Sequence, residues 1–223
     1  MQTGKKLGII VKELEGHAPF TLFGAFTGIV CMLLFRNLEH DTSEKIFYVF
    51  HPGHVFLSAI VTASMFQFHS KRKQIIAVLL VGFFGSLGIG TLSDSLIPYV
   101  GEALLGMHIE SHAHEHAGFA HEAHIGFIEG WYIVIPAAIA GVLIALFKPR
   151  TKIPHAGHVL LSTWASSFHM LMAIGGNISI LKMVGSFGFL FLAVLLPCCV
   201  SDIVFPLLFV KSTDDLSHFN HHH

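Results

Sequence analysis

Six apolar runs, each long enough to cross a bilayer, restrict this chain more than any other feature of its sequence. About 30 Å of hydrocarbon takes roughly 17 to 25 helical residues. Pro19 to Phe35, Ile46 to Phe68, Ile75 to Ile97, Ile125 to Phe147, Ile153 to Ile174 and Ile178 to Val210 all reach that length. No water satisfies backbone N–H and C=O groups in hydrocarbon, so such runs fold as helices. The last run exceeds one crossing and should tilt, or break near Gly185 and Gly188 or at Pro197. Charged residues make up only 12% of the 223 positions, against about 25% in a soluble domain. The chain therefore reads as an all-α polytopic integral membrane protein with six transmembrane helices. Its net charge of −1 leaves no basic patch on which a nucleic acid could rest. Cys31, Cys198 and Cys199 lie in apolar runs and read as reduced thiols, not a disulfide framework.

Basic residues set the orientation. Lys5, Lys6, Lys12, Lys71, Arg72, Lys73, Lys148, Arg150, Lys152 and Lys211 fall on one side, leaving Arg36, Lys45 and Lys182 on the other. The positive-inside rule places both termini in the cytoplasm. An amphipathic segment, Leu7 to Glu15, precedes the first run where a cleavable signal would carry a short basic tip, so the first span is expected to stay in place.

Comparing the chain with itself reveals a duplication. His51-Pro-Gly-His-Val-Phe-Leu-Ser58 matches His155-Ala-Gly-His-Val-Leu-Leu-Ser162 at six of eight positions. Ser93-Asp94 with Pro98 likewise matches Ser201-Asp202 with Pro206 at the same spacing. The chain divides into a first three-helix repeat (1–107), an external His-rich loop (108–124) and a second three-helix repeat with a cytoplasmic tail (125–223). Three is odd, so the second copy must cross the membrane upside down. Inverted repeats of this kind recur in secondary transporters, with substrate sites near the repeat interface.

The duplicated residues are polar, and polar residues at bilayer depth are costly: about 2.5 to 3.5 kcal/mol for a charged side chain on insertion scales. They are expected to face one another or a cavity. His54, Ser58 and Thr62 repeat every fourth residue and share one helix face, as do His158, Ser162 and Ser166. Pro98 removes the N–H that would bond the carbonyl of Asp94, so Asp94, and by the same spacing Asp202, should present a carboxylate beside a freed backbone oxygen.

Imidazole with carboxylate suits Zn, Fe, Mn, Ni or Co better than Mg or Ca. The expected metal ligands are His51, His54, Asp94, His155, His158 and Asp202, with Ser58, Thr62, Ser93, Ser162, Ser166, Ser201 and His169 along the pathway. His51, His54 and Asp94 fall toward the outer side and His155, His158 and Asp202 toward the inner. They form two stations, or one binuclear site if the helices are broken or re-entrant. His169 has no mirrored partner, since Met65 holds the equivalent position, and ranks as an accessory ligand.

The tract 108–124 holds six His and three Glu without Lys or Arg, a composition that binds transition metals weakly. A divalent transition-metal secondary transporter is the favoured function. Its partners are the bilayer and the metal ion, with a homo-oligomer permitted. The alternative is an intramembrane metal-dependent hydrolase or oxidase acting on a lipid or small substrate. No Walker loop, dinucleotide fingerprint or His-Glu-x-x-His signature is present.

Overall fold

The computed structural model describes residues 2–69, 74–107, 126–149, 152–173 and 179–199. They form α1 (Gln2–Phe35), α2 (His40–His69), α3 (Ile75–Thr91), a π-helical segment (Leu92–Leu96), α4 (Ile97–Leu104), the short α5 (Gly126–Glu129), α6 (Trp131–Phe147), α7 (Lys152–Met172) and α8 (Ile180–Cys199). No strand occurs among the described residues. The His-rich tract, Ser201, Asp202 and the tail lie outside them, as do the side chains of Cys198 and Cys199.

Among the described residues, hydropathy makes four stretches long and apolar enough to cross a membrane. These are Ala18–Phe35 in α1, His40–Phe68 in α2, Ile75–Leu104 through α3, the π segment and α4, and Ile180–Pro197 in α8. α6 is as apolar but has 17 residues. α7 carries Ser162, Ser166, Ser167, His158 and His169 on buried faces, and this polar content dilutes a 21-residue helix.

The exterior is that of a protein in lipid. Phe26, Leu34, Ile76, Phe84, Phe147 and Leu181 are all exposed, while Ser58, Thr62, Ser86, Ser93 and Asp94 are buried. A soluble protein distributes these residues the other way. Trp131 and Tyr132, both exposed, open α6 as an interfacial aromatic pair would.

α2 and α7 form the centre and pack along each other. Around them, α1 rests on α7 and α8, α6 rests on α2 and α3, α3 packs on α2, and α8 packs on α7. Exchanging α1, α2 and α3 for α6, α7 and α8 leaves this set of neighbours unchanged. Side chains keep the same reciprocity. A Cβ on Gly53 would sit 3.2 Å from Leu161 Cδ1, and one on Gly157 2.7 Å from Leu57 Cδ1. Those four residues are two matched pairs of the duplicated segment. In each copy a glycine lets the other copy's leucine in.

α8 runs unbroken through Gly185 and Gly188 and takes in Pro197 near its end, so the break expected at those glycines does not occur. Gly185 instead gives room to Leu105, whose Cδ2 would lie 2.4 Å from an added Cβ. α4 closes at Gly106, whose φ of 59° suits a residue without a Cβ. Met107 N–H then donates to Glu102 O at 2.9 Å.

Candidate functional site: a buried imidazole and carboxylate centre

Pro98 shapes the site from the sequence upward. Lacking an N–H, it cannot continue the α-helical ladder, and the chain just before it, Leu92–Leu96, widens into a π turn in which Ile97 N–H donates to Leu92 O. Such turns are costly in an ordinary helix and occur mostly at functional sites. This one carries Asp94 inward, fully buried. Gly90, one turn earlier, lets α3 approach α2. A Cβ there would lie 2.8 Å from Val55 Cγ2, with His51 Cε1 and His54 Nδ1 just beyond.

Four groups converge on the Asp94 carboxylate. His51 Nδ1 donates to Oδ2 at 2.9 Å and His54 Nδ1 donates to the same oxygen at 2.7 Å. Ser93 Oγ donates to Oδ1 at 2.8 Å and Ser162 Oγ at 2.7 Å. A carboxylate only accepts, so both rings carry their proton on Nδ1 and turn Nε2 away. The Nε2 atoms of His51 and His54 are buried without a hydrogen-bond partner among the described residues, as is Ser58 Oγ. Buried polar atoms are rarely left so.

The second repeat enters through α7. The His158 ring stacks on that of His54 with centroids 5.7 Å apart and planes 19° apart. His155 meets His158 edge to face at 4.8 Å. Ser166 Oγ donates to Ser93 O at 2.9 Å, so the backbone oxygen that a side chain recruits at the π turn belongs to Ser93. His54 and His158 are equivalent positions of the duplication, and they meet where α2 crosses α7. Ring contacts and hydrogen bonds join His51, His54, Asp94, His155, His158, Ser93, Ser162 and Ser166 in one cluster. Thr62 is buried further along the same face of α2. Asp202 and Ser201 lie outside the described residues.

Sequence reasoning missed Glu102 and the true setting of His169. His169 Nδ1 donates to Glu102 Oε1 at 2.7 Å, with both side chains buried. Phe47 separates this pair from the centre, stacked on His51 at 5.3 Å and 10° and edge-on to His169 at 5.6 Å and 74°. The usable signal was spacing. Glu102 follows Asp94 by eight residues, which returns to nearly the same helix face.

A third group stands at the start of α2. His40, Asp41 and Glu44 each offer a ligand atom within 4.8 Å of the others, and among the described residues no other trio does so. His40 and Asp41 are exposed. In the buried centre the carboxylate is taken up by imidazole N–H groups, and its His and Asp ligand atoms do not close into such a trio.

No family model, curated protein or solved structure matches this chain.

Proposed function

We propose that this protein is an integral membrane secondary transporter for a divalent transition-metal cation, built as two inverted three-helix repeats and six spans. One observation carries the reading. Asp94 holds two imidazoles by Nδ1 and leaves their Nε2 atoms buried and without a hydrogen bond, the arrangement in which neutral histidines ligate a metal. His51 and His54 would take the ion through Nε2, with His158 and His155 adjoining, and Asp94 would act as their anchor. The reciprocal contacts of Gly53 with Leu161 and Gly157 with Leu57 support a pseudo-two-fold axis between the halves. The His54–His158 stack lies where that axis would pass.

Ser162 donates to Asp94, and in the duplication the counterparts of that pair are Ser58 and Asp202. His40, Asp41 and Glu44, with the His tract 108–124, would capture the ion at the end of the bundle taken as external, both termini being cytoplasmic. The cargo is Zn, Fe, Mn, Ni or Co, the ions that imidazole favours over Mg or Ca.

The enzyme alternative asks for a lipid-wide opening onto the imidazoles. The apolar groove bounded by Cys31, Phe35, Val49, Phe50, Trp164 and Phe168 includes none of them in its wall. The test is Co²⁺ flux into proteoliposomes. His54→Ala and His158→Ala should each abolish it in protein that remains folded, and unchanged flux in either variant contradicts the proposal.

A further inference from the structure

We propose that the Glu102–His169 pair is a proton-binding station that couples ion occupancy of the Asp94 centre to proton movement; this rests on the transport reading above. Both side chains are buried at the ends of helices that the chain places in the membrane. A buried ion pair adds little to stability on balance, and an ionisable pair inside a span is functional by default.

The pair stands apart from the metal centre. Eight residues of helix separate Glu102 from Asp94, about 12 Å along the axis, too far for one ion to touch both carboxylates. The Phe47 ring links the two sites, in face contact with His51 and edge contact with His169. An aromatic wall blocks shared ligation but does little to screen charge, because water is excluded and the effective dielectric is low.

Charge accounting gives the direction. With a proton on His169 the pair is an imidazolium and a carboxylate, net neutral. When that proton leaves for water the pair is a neutral imidazole and a carboxylate, net −1. A divalent ion settling at His51 and His54 adds two positive charges beyond Phe47 and favours release of the proton; departure of the ion favours its return. One proton and no other reactant is exchanged.

Titratable and charged groups on the elements packed around the pair include Glu44, Lys45, Tyr48, His51 and His54 on α2, Asp94 on the π segment, Tyr99 on α4, His155 and His158 on α7 and Lys182 on α8. Lys182 Nζ donates to Gly106 O at 2.6 Å, so its ammonium is held at the end of α4. The pair itself sits one turn from that end, which makes a short route to water.

The experiment uses the full chain in proteoliposomes with a trapped pH dye and external Co²⁺, together with infrared difference spectra of the same protein across roughly pH 5 to 8, where histidine titrates. Because coupling is reciprocal, Co²⁺ affinity in wild type should rise with pH across this range, and Glu102→Gln and His169→Gln should remove that dependence. Proton movement per Co²⁺ should fall to the vesicle background, Glu102→Asp should restore it, and a titrating imidazole signal should vanish with His169→Gln. Should Glu102→Gln fail to fold, His169→Gln and Glu102→Asp carry the same measurements. Wild-type vesicles that move no Co²⁺ would overturn the transport reading and coupling with it. Wild-type vesicles that move Co²⁺ with a proton ratio indifferent to these substitutions would overturn this inference alone.

Discussion

The Asp94 centre and the Glu102–His169 pair use the same two functional groups in different settings. Asp94 gathers two imidazoles and two hydroxyls, one hydroxyl from the opposite repeat, and lies beside the contact of two equivalent histidines. Glu102 holds one imidazole, and the position equivalent to His169 is Met65, so the pair has no twin. An alternating-access transporter must present its cargo site to both sides, which favours residues present in both repeats. An event that occurs once per cycle has no such need. Under the proposed function, the difference between the two regions would separate cargo handling from coupling.

Substitutions can break or sharpen that separation. The largest effect should come from Asp94→Asn. The amide oxygen can still accept both imidazole N–H groups, but the NH2 that replaces the other oxygen donates, so the Ser93 and Ser162 hydroxyls must turn to accept or lose their bonds. A buried unsatisfied donor costs about 1 to 3 kcal/mol, and loss of an orienting carboxylate lowers metal affinity about 10- to 100-fold. Thermal unfolding and Co²⁺ titration read the two effects. A Co²⁺ affinity no worse than that of Glu102→Gln would erase the distinction between the regions.

Gly90→Val should follow. Its Cβ meets Val55, and pushing the π segment off α2 lengthens both Asp94–imidazole bonds. Overpacking of this kind costs about 1 to 3 kcal/mol, so unfolding should come earlier and Co²⁺ affinity should drop, while a mere loss of stability with full affinity would show that the approach of α3 does not set the site.

Ser162→Ala removes one of the two hydroxyls on Asp94 Oδ1, for about 1 kcal/mol of stability. Ser58→Ala is the sharper comparison. If Ser58 serves Asp202 as Ser162 serves Asp94, the two variants should lose stability and flux alike. A silent Ser58→Ala would break the proposed equivalence of the halves.

The smallest effect belongs to His40→Ala. An exposed substitution of this kind stays within about 0.5 kcal/mol, and saturating flux should be unchanged. Flux at low Co²⁺ should fall if His40 helps capture the ion.

Much of this was legible in the sequence, and the reasons are local. Spans follow from hydropathy, and the His51–Ser58 and His155–Ser162 match needs only alignment of the chain with itself. Pro98 announced a disturbed helix around Asp94 through its missing N–H. Which backbone oxygen is engaged was not legible, because Ser166 reaches Ser93 O from another helix. Nor was the meeting of the two clusters. Spacing fixes the face a residue occupies, whereas His54 meets His158 because small residues such as Gly53 and Gly157 set how deeply α2 and α7 interlock. Glu102 escaped notice because an acidic residue near a helix end reads as solvated, and only its contact with His169 shows it buried.

The central claim is that both repeats build a single metal centre. The most direct measurement is a double-mutant cycle in Co²⁺ affinity for His54→Ala and His158→Ala, with the histidines of the 108–124 tract, His40, His218, His221, His222 and His223 replaced by serine in every variant so that the membrane core is read. The expected result is strong non-additivity: each substitution alone removes the high-affinity site, and the double variant binds no more weakly than either. Strictly additive losses, each variant keeping half of the bound Co²⁺, would mean two independent sites and would contradict a shared centre.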